Sequence, residues 1–293
     1  MNVTNKYNYP EPFAVAAKKN TYTKGEADYS ITELNSPPRL VQLTKRHDSE
    51  LTEDVSERLW MLLGTVAHEI LERGGREGQE LTEERLYATV GGKKIGGKLD
   101  TLCLGSGLLT DYKLVSVWSY ILGTKPEWTA QANCYAFLAR ENGHTVNALE
   151  IFAMFRDWSE SKSLGSGDYP KTNCLRIPLE MWPHEKTRDY IKERVLLHDV
   201  AKLQGDDFLP ACTPEERWEK PTTYAVMKPG RKSALSVHDT LEAATAALAP
   251  GASVVTRPGT SRRCASYCPV GGSTGLCSVW VADPTRVEAT DAP

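Results

Sequence analysis

The chain has 293 residues, 35 basic and 38 acidic side chains, a formal net charge of −3 and 40% hydrophobic residues. That composition is globular and excludes collagen-like, coiled-coil and disordered classes, and the length supports one large domain with an appendage, or two smaller ones, without disulfide staples. No run approaches the roughly 18 apolar residues of a membrane span, the first thirty residues lack the apolar stretch of a secretory signal, and the near-neutral balance confines any nucleic-acid surface to a local basic patch.

In chain order, residues 1–30 are polar and rich in Tyr, Asn and Lys, and are expected to form an arm on the surface. From Glu53 to Arg73, Val55, Leu59, Leu62, Leu63, Val66, Ile70 and Leu71 recur at helical spacing until Gly74-Gly75 stops the pattern. Residues 86–104 and 108–115 read as strands, with Gly91-Gly92 and Gly105-Ser106-Gly107 as turns, hence a β-meander. Pro126-Glu127 opens a helix to about Arg140, 148–157 is a strand, 159–173 a polar loop, 175–180 a strand and 184–204 a long helix. Helices against a mixed sheet make an α/β domain over 31–205.

The last third differs. Thr213-Pro214-Glu215-Glu216 has the form of a helix start. Strands at 223–228 and 233–237 flank Lys228-Pro229-Gly230-Arg231, Asp239 is placed to cap an alanine-rich helix, and 252–257 is a further strand. These form a small ββαβ unit within 206–280, and 281–293 has no periodic apolar positions and reads as a disordered tail.

The chemistry-bearing residues gather around the meander. Asp111 and Lys113 are two apart on one strand and share a face, and the hairpin brings Asp100 to the same end. An acid-x-Lys tripeptide alone carries little, since Glu160-Ser161-Lys162 repeats it in a loop without a partner carboxylate. Two carboxylates beside an ammonium suit a hard cation, Mg2+ or Mn2+, although solvated hairpin residues would look the same. His68 and Glu72 are four apart on the first helix, with Gly64 one turn before, and Gln131 and Tyr135 are four apart on the second. A lone helical histidine is more often structural, and an amide and phenol can simply be the polar tips of a core helix.

Taken in order, Gly64-x3-His68-x3-Glu72, Gly97-x2-Asp100, Asp111-x-Lys113 and Gln131-x3-Tyr135 resemble the PD-(D/E)XK nuclease superfamily, and within it the RecB-like exonuclease branch of phage exonucleases and CRISPR-associated nucleases. The resemblance spans residues 60–140 and implies a nuclease core over 31–205, a mixed β-sheet flanked by helices. It further implies His68, Asp100, Asp111 and the Tyr112 backbone carbonyl as metal ligands, and Lys113 as the group that orients or activates the attacking water. Gln131 and Tyr135 would brace the site and contact DNA, and Glu72 would support His68.

Seven cysteines without a signal peptide make a poor disulfide framework. Cys264-x3-Cys268-x8-Cys277 is instead a metal or cluster pattern, and Cys212, at the head of the small unit, is the preferred fourth ligand. Cys103 and Cys134 read as core, and Cys174 begins a strand. Four thiolates suit a [4Fe–4S] cluster or Zn2+. The RecB-like branch often pairs such a C-terminal triplet with an upstream cysteine and holds [4Fe–4S]. This chain departs from that pattern, because Leu34-Asn35-Ser36-Pro37-Pro38-Arg39 has no cysteine. Lys228, Arg231 and Lys232, or Arg257, Arg262 and Arg263, could neutralise phosphates or be solvated surface.

The expectation is a metal-dependent DNA exonuclease of recombination, repair or replication, in the cytoplasm of a bacterium or phage-infected host. DNA is its partner, a recombinase or annealing protein a candidate companion, and no membrane is involved. The alternatives are an endonuclease or CRISPR-type end-trimming nuclease, and a non-catalytic DNA-binding module with a structural cluster.

Overall fold

A computed structural model describes residues 1–19, 23–123, 125–165, 167–272 and 274–283. The chain is mixed α/β and divides into two compact units, Met1–Ser36 with Thr52–Lys202, and Pro37–Leu51 with Leu203–Pro293. The second unit thus takes a segment from far upstream that the sequence had placed inside the main domain. No described helix is long and apolar enough to cross a membrane.

The first unit opens with β1 (Asn2–Thr4), α1 (Glu11–Lys18), β2 (Tyr29–Ser30) and α2 (Ile31–Asn35); α3 (Pro38–Arg46) belongs to the other unit. β3 (Thr52–Asp54) pairs in parallel with β1, and Ala14 and Ala17 of α1 pack on Val55. The expected surface arm is therefore corrected to a packed element, because Ala14 and Ala17 share one face of a short helix. The β1–β3 pairing also delays the next helix, so α4 runs Leu59–Arg73 after a 3-10 turn at Val55–Arg58.

β4 (Glu80–Thr82), β5 (Arg85–Val90), β6 (Lys93–Lys98), β7 (Thr101–Cys103) and β8 (Leu108–Val115) make the meander. After α5 (Trp118–Ile121) and α6 (Pro126–Glu141), β9 (Ala148–Phe155) returns parallel to β8. Then follow α7 (Glu160–Gly165), β10 (Cys174–Leu179) and α8 (His184–Leu203). The main sheet is ordered β10-β9-β8-β7-β4, and β2-β6-β5 form a second. The parallel β8–β9 pair needs a crossover, which α6 supplies. Ala132, Cys134, Tyr135, Phe137 and Leu138 of this helix sink into the main core with Ile95, Leu102, Leu109 and Leu149.

In the second unit, β11 (Glu219–Lys220) pairs with β15 (Thr260–Ser261), and β12 (Thr223–Met227) lies between β13 (Ser236–His238) and β14 (Ser253–Arg257). α9 (Leu241–Ala246), α10 (Arg262–Ser266) and α11 (Ser278–Val281) complete it. The Thr213 capping box forms, with Glu216 N donating to Thr213 Oγ1 at 3.2 Å and Thr213 N to Glu216 Oε2 at 3.0 Å. No helix follows, because Trp218 takes φ +52° and turns the chain into β11. Thr240, not Asp239, caps α9. The tail expected at 281–293 lies outside the described residues beyond Asp283.

Candidate active site

Asp111 sits on β8 at an inward position, aligned with Leu109 and opposite Ile151 of β9. It is 3% exposed, and a carboxylate in that setting is costly unless a positive group compensates it. Lys113, two residues on, places Nζ 2.8 Å from Asp111 Oδ2. The approach is close but misaligned, so this buried oxygen has no hydrogen-bond partner. Burial pushes the Asp111 carboxyl up, to about 6; Lys113 opposes that rise and Asp100 adds to it.

Lys113 Nζ also donates to Gln131 Oε1 at 3.2 Å, and Gln131 Nε2 donates to the Tyr135 hydroxyl at 3.1 Å. The polar tips of α6 are thus joined to β8 in one chain of contacts. Tyr135 reaches this place because residue 97 is glycine. A Cβ there would lie 2.8 Å from both Tyr135 Cε1 and Leu138 Cδ1.

Asp100 follows β6. Its Oδ2 accepts the Tyr112 N–H at 2.7 Å, and its Oδ1 lies 3.4 Å from His68 Nδ1. The Tyr112 ring meets the His68 ring edge-on. His68 Nδ1 is also 3.2 Å from Glu83 Oε1, a residue the sequence did not single out. Glu83 N donates to the Asp100 carbonyl at 2.9 Å, which ties the β4–β5 turn to the end of β6. That turn holds Glu83 at φ +53°, a strained conformation for a residue with a side chain. Lys98 pairs with the other Glu83 oxygen.

His68, Glu83 and Asp100 each offer a ligand atom within 4.8 Å of the others. Hydrogen bonds to Asp100 and then Glu83 push the imidazole of His68 up to about 10. Burial resists ionisation of Glu83, but His68 and Lys98 outweigh it and hold the carboxyl low. A proton on His68 therefore supplies the positive charge between two carboxylates, where a hard cation with mixed oxygen and nitrogen ligands would also fit. The Asp111 oxygen beside Lys113 accepts no hydrogen bond and is a further candidate ligand, although Asp111 is outside the 4.8 Å group. A cleft of about 180 Å3 adjoins Asp100, lined by Ser30, Thr32, Glu83, Arg85, Lys98 and Tyr135 among others.

Glu72 does not support His68. It is exposed on α4 and its side chain makes no hydrogen bond or ion pair among the described residues; Glu83 takes the acceptor position instead. Gly64 faces open space. Several apolar residues that suggested a buried stripe on α4, among them Leu59, Leu63, Val66 and Ile70, are exposed, so periodicity there does not mark core. Hairpin register could have found Glu83: residues 80–90 pair with 93–103 about the Gly91-Gly92 turn, Thr82 with Thr101 and Arg85 with Lys98, which sets Glu83 opposite Asp100, but a strand taken to begin at residue 86 stops short of it.

In the second unit, Cys212, Cys264, Cys268 and Cys277 are unpaired thiols. Burial, then Glu216, then the other three cysteines push the Cys212 thiol up to about 12; among the described residues the sulfurs do not form a group within 4.8 Å of one another as the His68 cluster does. Burial, then Cys268 and Cys277, push Cys264 up to about 11. Gly271 lets the chain double back, with Gly271 N donating to Cys268 O at 3.0 Å and Gly272 N to Cys264 O at 2.8 Å. A Cβ on Gly271 would collide with the Cys264 carbonyl oxygen. Elsewhere Cys134 is core, while Cys103 and Cys174 are half-buried. Of the candidate phosphate contacts, Lys228, Arg231, Lys232 and Arg257 are exposed. Arg262 lies over the Tyr267 ring, and Arg263 covers Trp218 and donates to the Glu216 carbonyl.

No protein-family model matches the chain, and no curated protein does. Among solved structures it is similar to the one described as the crystal structure of SSO0001, with a TM-score of 0.43 and 15% identity, covering 63% of this chain and 84% of that one. A likeness of that size assigns neither a family nor a function.

Proposed function

We propose that the chain is a metal-dependent deoxyribonuclease with a PD-(D/E)XK core, acting as an exonuclease of the RecB-like kind. The observation that carries this reading is the convergence of His68, Glu83 and Asp100 within 4.8 Å, on the unit that also holds the Asp111–Lys113 pair. His68, Glu83, Asp100 and Asp111 are the residues that would hold Mg2+ or Mn2+, and the Tyr112 carbonyl is retained as a further ligand from the resemblance. A bound cation would supply Lewis acidity at the phosphodiester and offset the charge that builds on its oxygens.

The chain's own groups do the rest. The Lys113 ammonium, held beside Asp111 by charge and donating one hydrogen to Gln131, keeps hydrogens for a phosphate oxygen or the attacking water. Gln131 is itself fixed by the Tyr135 hydroxyl, so the lysine is held from α6 as well as from β8. Tyr112 N–H aims the Asp100 carboxylate. The choice of exonuclease over endonuclease rests on the resemblance.

We read the unpaired Cys212, Cys264, Cys268 and Cys277 as ligands of a [4Fe–4S] cluster, with Zn2+ as the alternative. The test of the nuclease is incubation of linear and circular DNA with Mn2+. Loss of linear DNA alone supports an exonuclease. Loss of both replaces that with an endonuclease, and a gel shift without loss replaces it with a binding module. No effect on either DNA overturns the reading.

A further inference from the structure

We propose that Arg39 is the buried counter-charge of the cysteine-held cluster, donating to the Cys277 sulfur and raising the reduction potential of the group bound there. The inference rests on the [4Fe–4S] reading of the four cysteines. Arg39 lies on α3 and is 2% exposed. All three guanidinium nitrogens have partners: Nε donates to Cys277 Sγ at 3.3 Å, Nη1 to the Leu209 carbonyl at 2.6 Å and Nη2 to Ser278 Oγ at 2.8 Å.

None of those partners is a carboxylate, and no ion pair involves Arg39 among the described residues. A guanidinium does not shed its proton, so burial cannot be relieved by neutralisation. Leaving such a charge buried and uncompensated costs several kcal/mol. A neutral thiol is a weak acceptor and offers little in return. A sulfur bound to iron carries negative charge, and a hydrogen bond to it is charge-assisted. The thiolate balances Arg39 and the neutral thiol does not, and ligation to a metal is what keeps a cysteine sulfur in that form.

The connectivity agrees. Arg39 and Cys277 are 238 residues apart, yet α3 belongs to the same compact unit as the cysteines. A merely structural staple would need only the Leu209 and Ser278 contacts. The third nitrogen, aimed at sulfur, is what a cluster would feel. Each electron added makes the cluster and its four thiolates more negative, so an adjacent cation favours the reduced form and raises the potential.

The experiment uses anaerobically purified full-length chain, Arg39→Gln and Arg39→Lys. Iron and acid-labile sulfide are measured first, then the one-electron midpoint potential by optical titration with dithionite. Iron with sulfide is expected in the unsubstituted chain; zinc, or no metal, overturns the cluster reading and this inference with it, before any variant is considered. With iron present, Arg39→Gln should lower the potential by at least about 59 mV, a tenfold change in the reduction equilibrium, while Arg39→Lys retains most of the wild-type value. An iron-loaded Arg39→Gln with unchanged potential overturns the role of Arg39 and leaves the cluster standing. Should Arg39→Gln fail to fold, pulsed EPR on the reduced unsubstituted chain carrying 15N-arginine decides. A weakly coupled arginine nitrogen is expected, and its absence overturns the contact.

Discussion

Lys113 Nζ lies 2.8 Å from a carboxylate oxygen of Asp111, two residues earlier on the same strand, and that oxygen is buried without a hydrogen bond. Strand alternation aligns Asp111 with Leu109, so the carboxylate occupies what would otherwise be a core position. Burial raises its pKa despite the ammonium beside it. The fold bears this charge; it is not held together by it.

Asp111→Asn should therefore keep or slightly raise the urea midpoint of unfolding, since a buried charge is replaced by a neutral group of equal size. DNA hydrolysis should nearly vanish, because a negative donor of the metal site is lost. A variant that retains more than about a tenth of the wild-type rate, a loss below ~1.4 kcal/mol, would show that Asp111 has no part in the chemistry.

Glu83 and Glu72 give opposite expectations. Glu83 meets His68 at 3.2 Å and belongs to the 4.8 Å group, whereas Glu72 is exposed. Glu83→Gln should weaken Mn2+ binding by calorimetry about tenfold or more, roughly 1.4 kcal/mol, and lower activity with it. Glu72→Gln should change neither by more than about twofold. Equal effects of the two would remove Glu83 from the ligand set.

The same contrast shows what the sequence could disclose. Local signals were reliable where the chain's own neighbours decide the outcome: Pro126 opens α6, and 148–157 and 184–204 fold close to their expected bounds as β9 and α8. Asp100, Asp111, Lys113, Gln131 and Tyr135 could be singled out because each pair is set by helical or strand spacing or by one hairpin. Glu83 obeys the same hairpin rule, since the pairs Thr82–Thr101 and Arg85–Lys98 set it opposite Asp100, but a strand expected only from residue 86 leaves it out. The start of α4 is different, because no local signal discloses that Thr52–Asp54 pairs with the distant Asn2–Thr4. Arg39 carried no motif at all, and its partners are far along the chain.

Gly97 tests how closely the tyrosine must sit. Gly97→Ala puts a methyl group 2.8 Å from Tyr135 Cε1 and Leu138 Cδ1, and both side chains are buried in the main core. Overpacking of this kind costs typically about 1–3 kcal/mol. The displaced phenol also loosens Gln131 and, through it, Lys113. A loss of stability by urea titration should accompany a fall in kcat. Unchanged stability and rate would mean that the core yields freely and that the Tyr135 position is immaterial.

His198 should make the first unit acid-sensitive. It is fully buried on α8, with Nε2 3.2 Å from the Ser36 carbonyl and 3.4 Å from that of Leu34, while Nδ1 has no partner. That geometry suits a neutral ring donating from Nε2. Burial first, and Arg194 second, hold its pKa down at about 4, below the ordinary value of 6.5. Between those two values the unfolded chain binds a proton that the native chain refuses. Stability is thus fully present above about pH 6.5 and is lost as pH falls toward 4, where the native form begins to take up the proton as well. The whole window is worth roughly 3 kcal/mol. Gln in place of His198 keeps an N–H donor and cannot titrate. Between pH 7 and 4.5, therefore, wild-type stability measured by urea titration should fall more steeply than that of His198→Gln. Parallel pH profiles for the two proteins would show that His198 is protonated as easily in the fold as out of it.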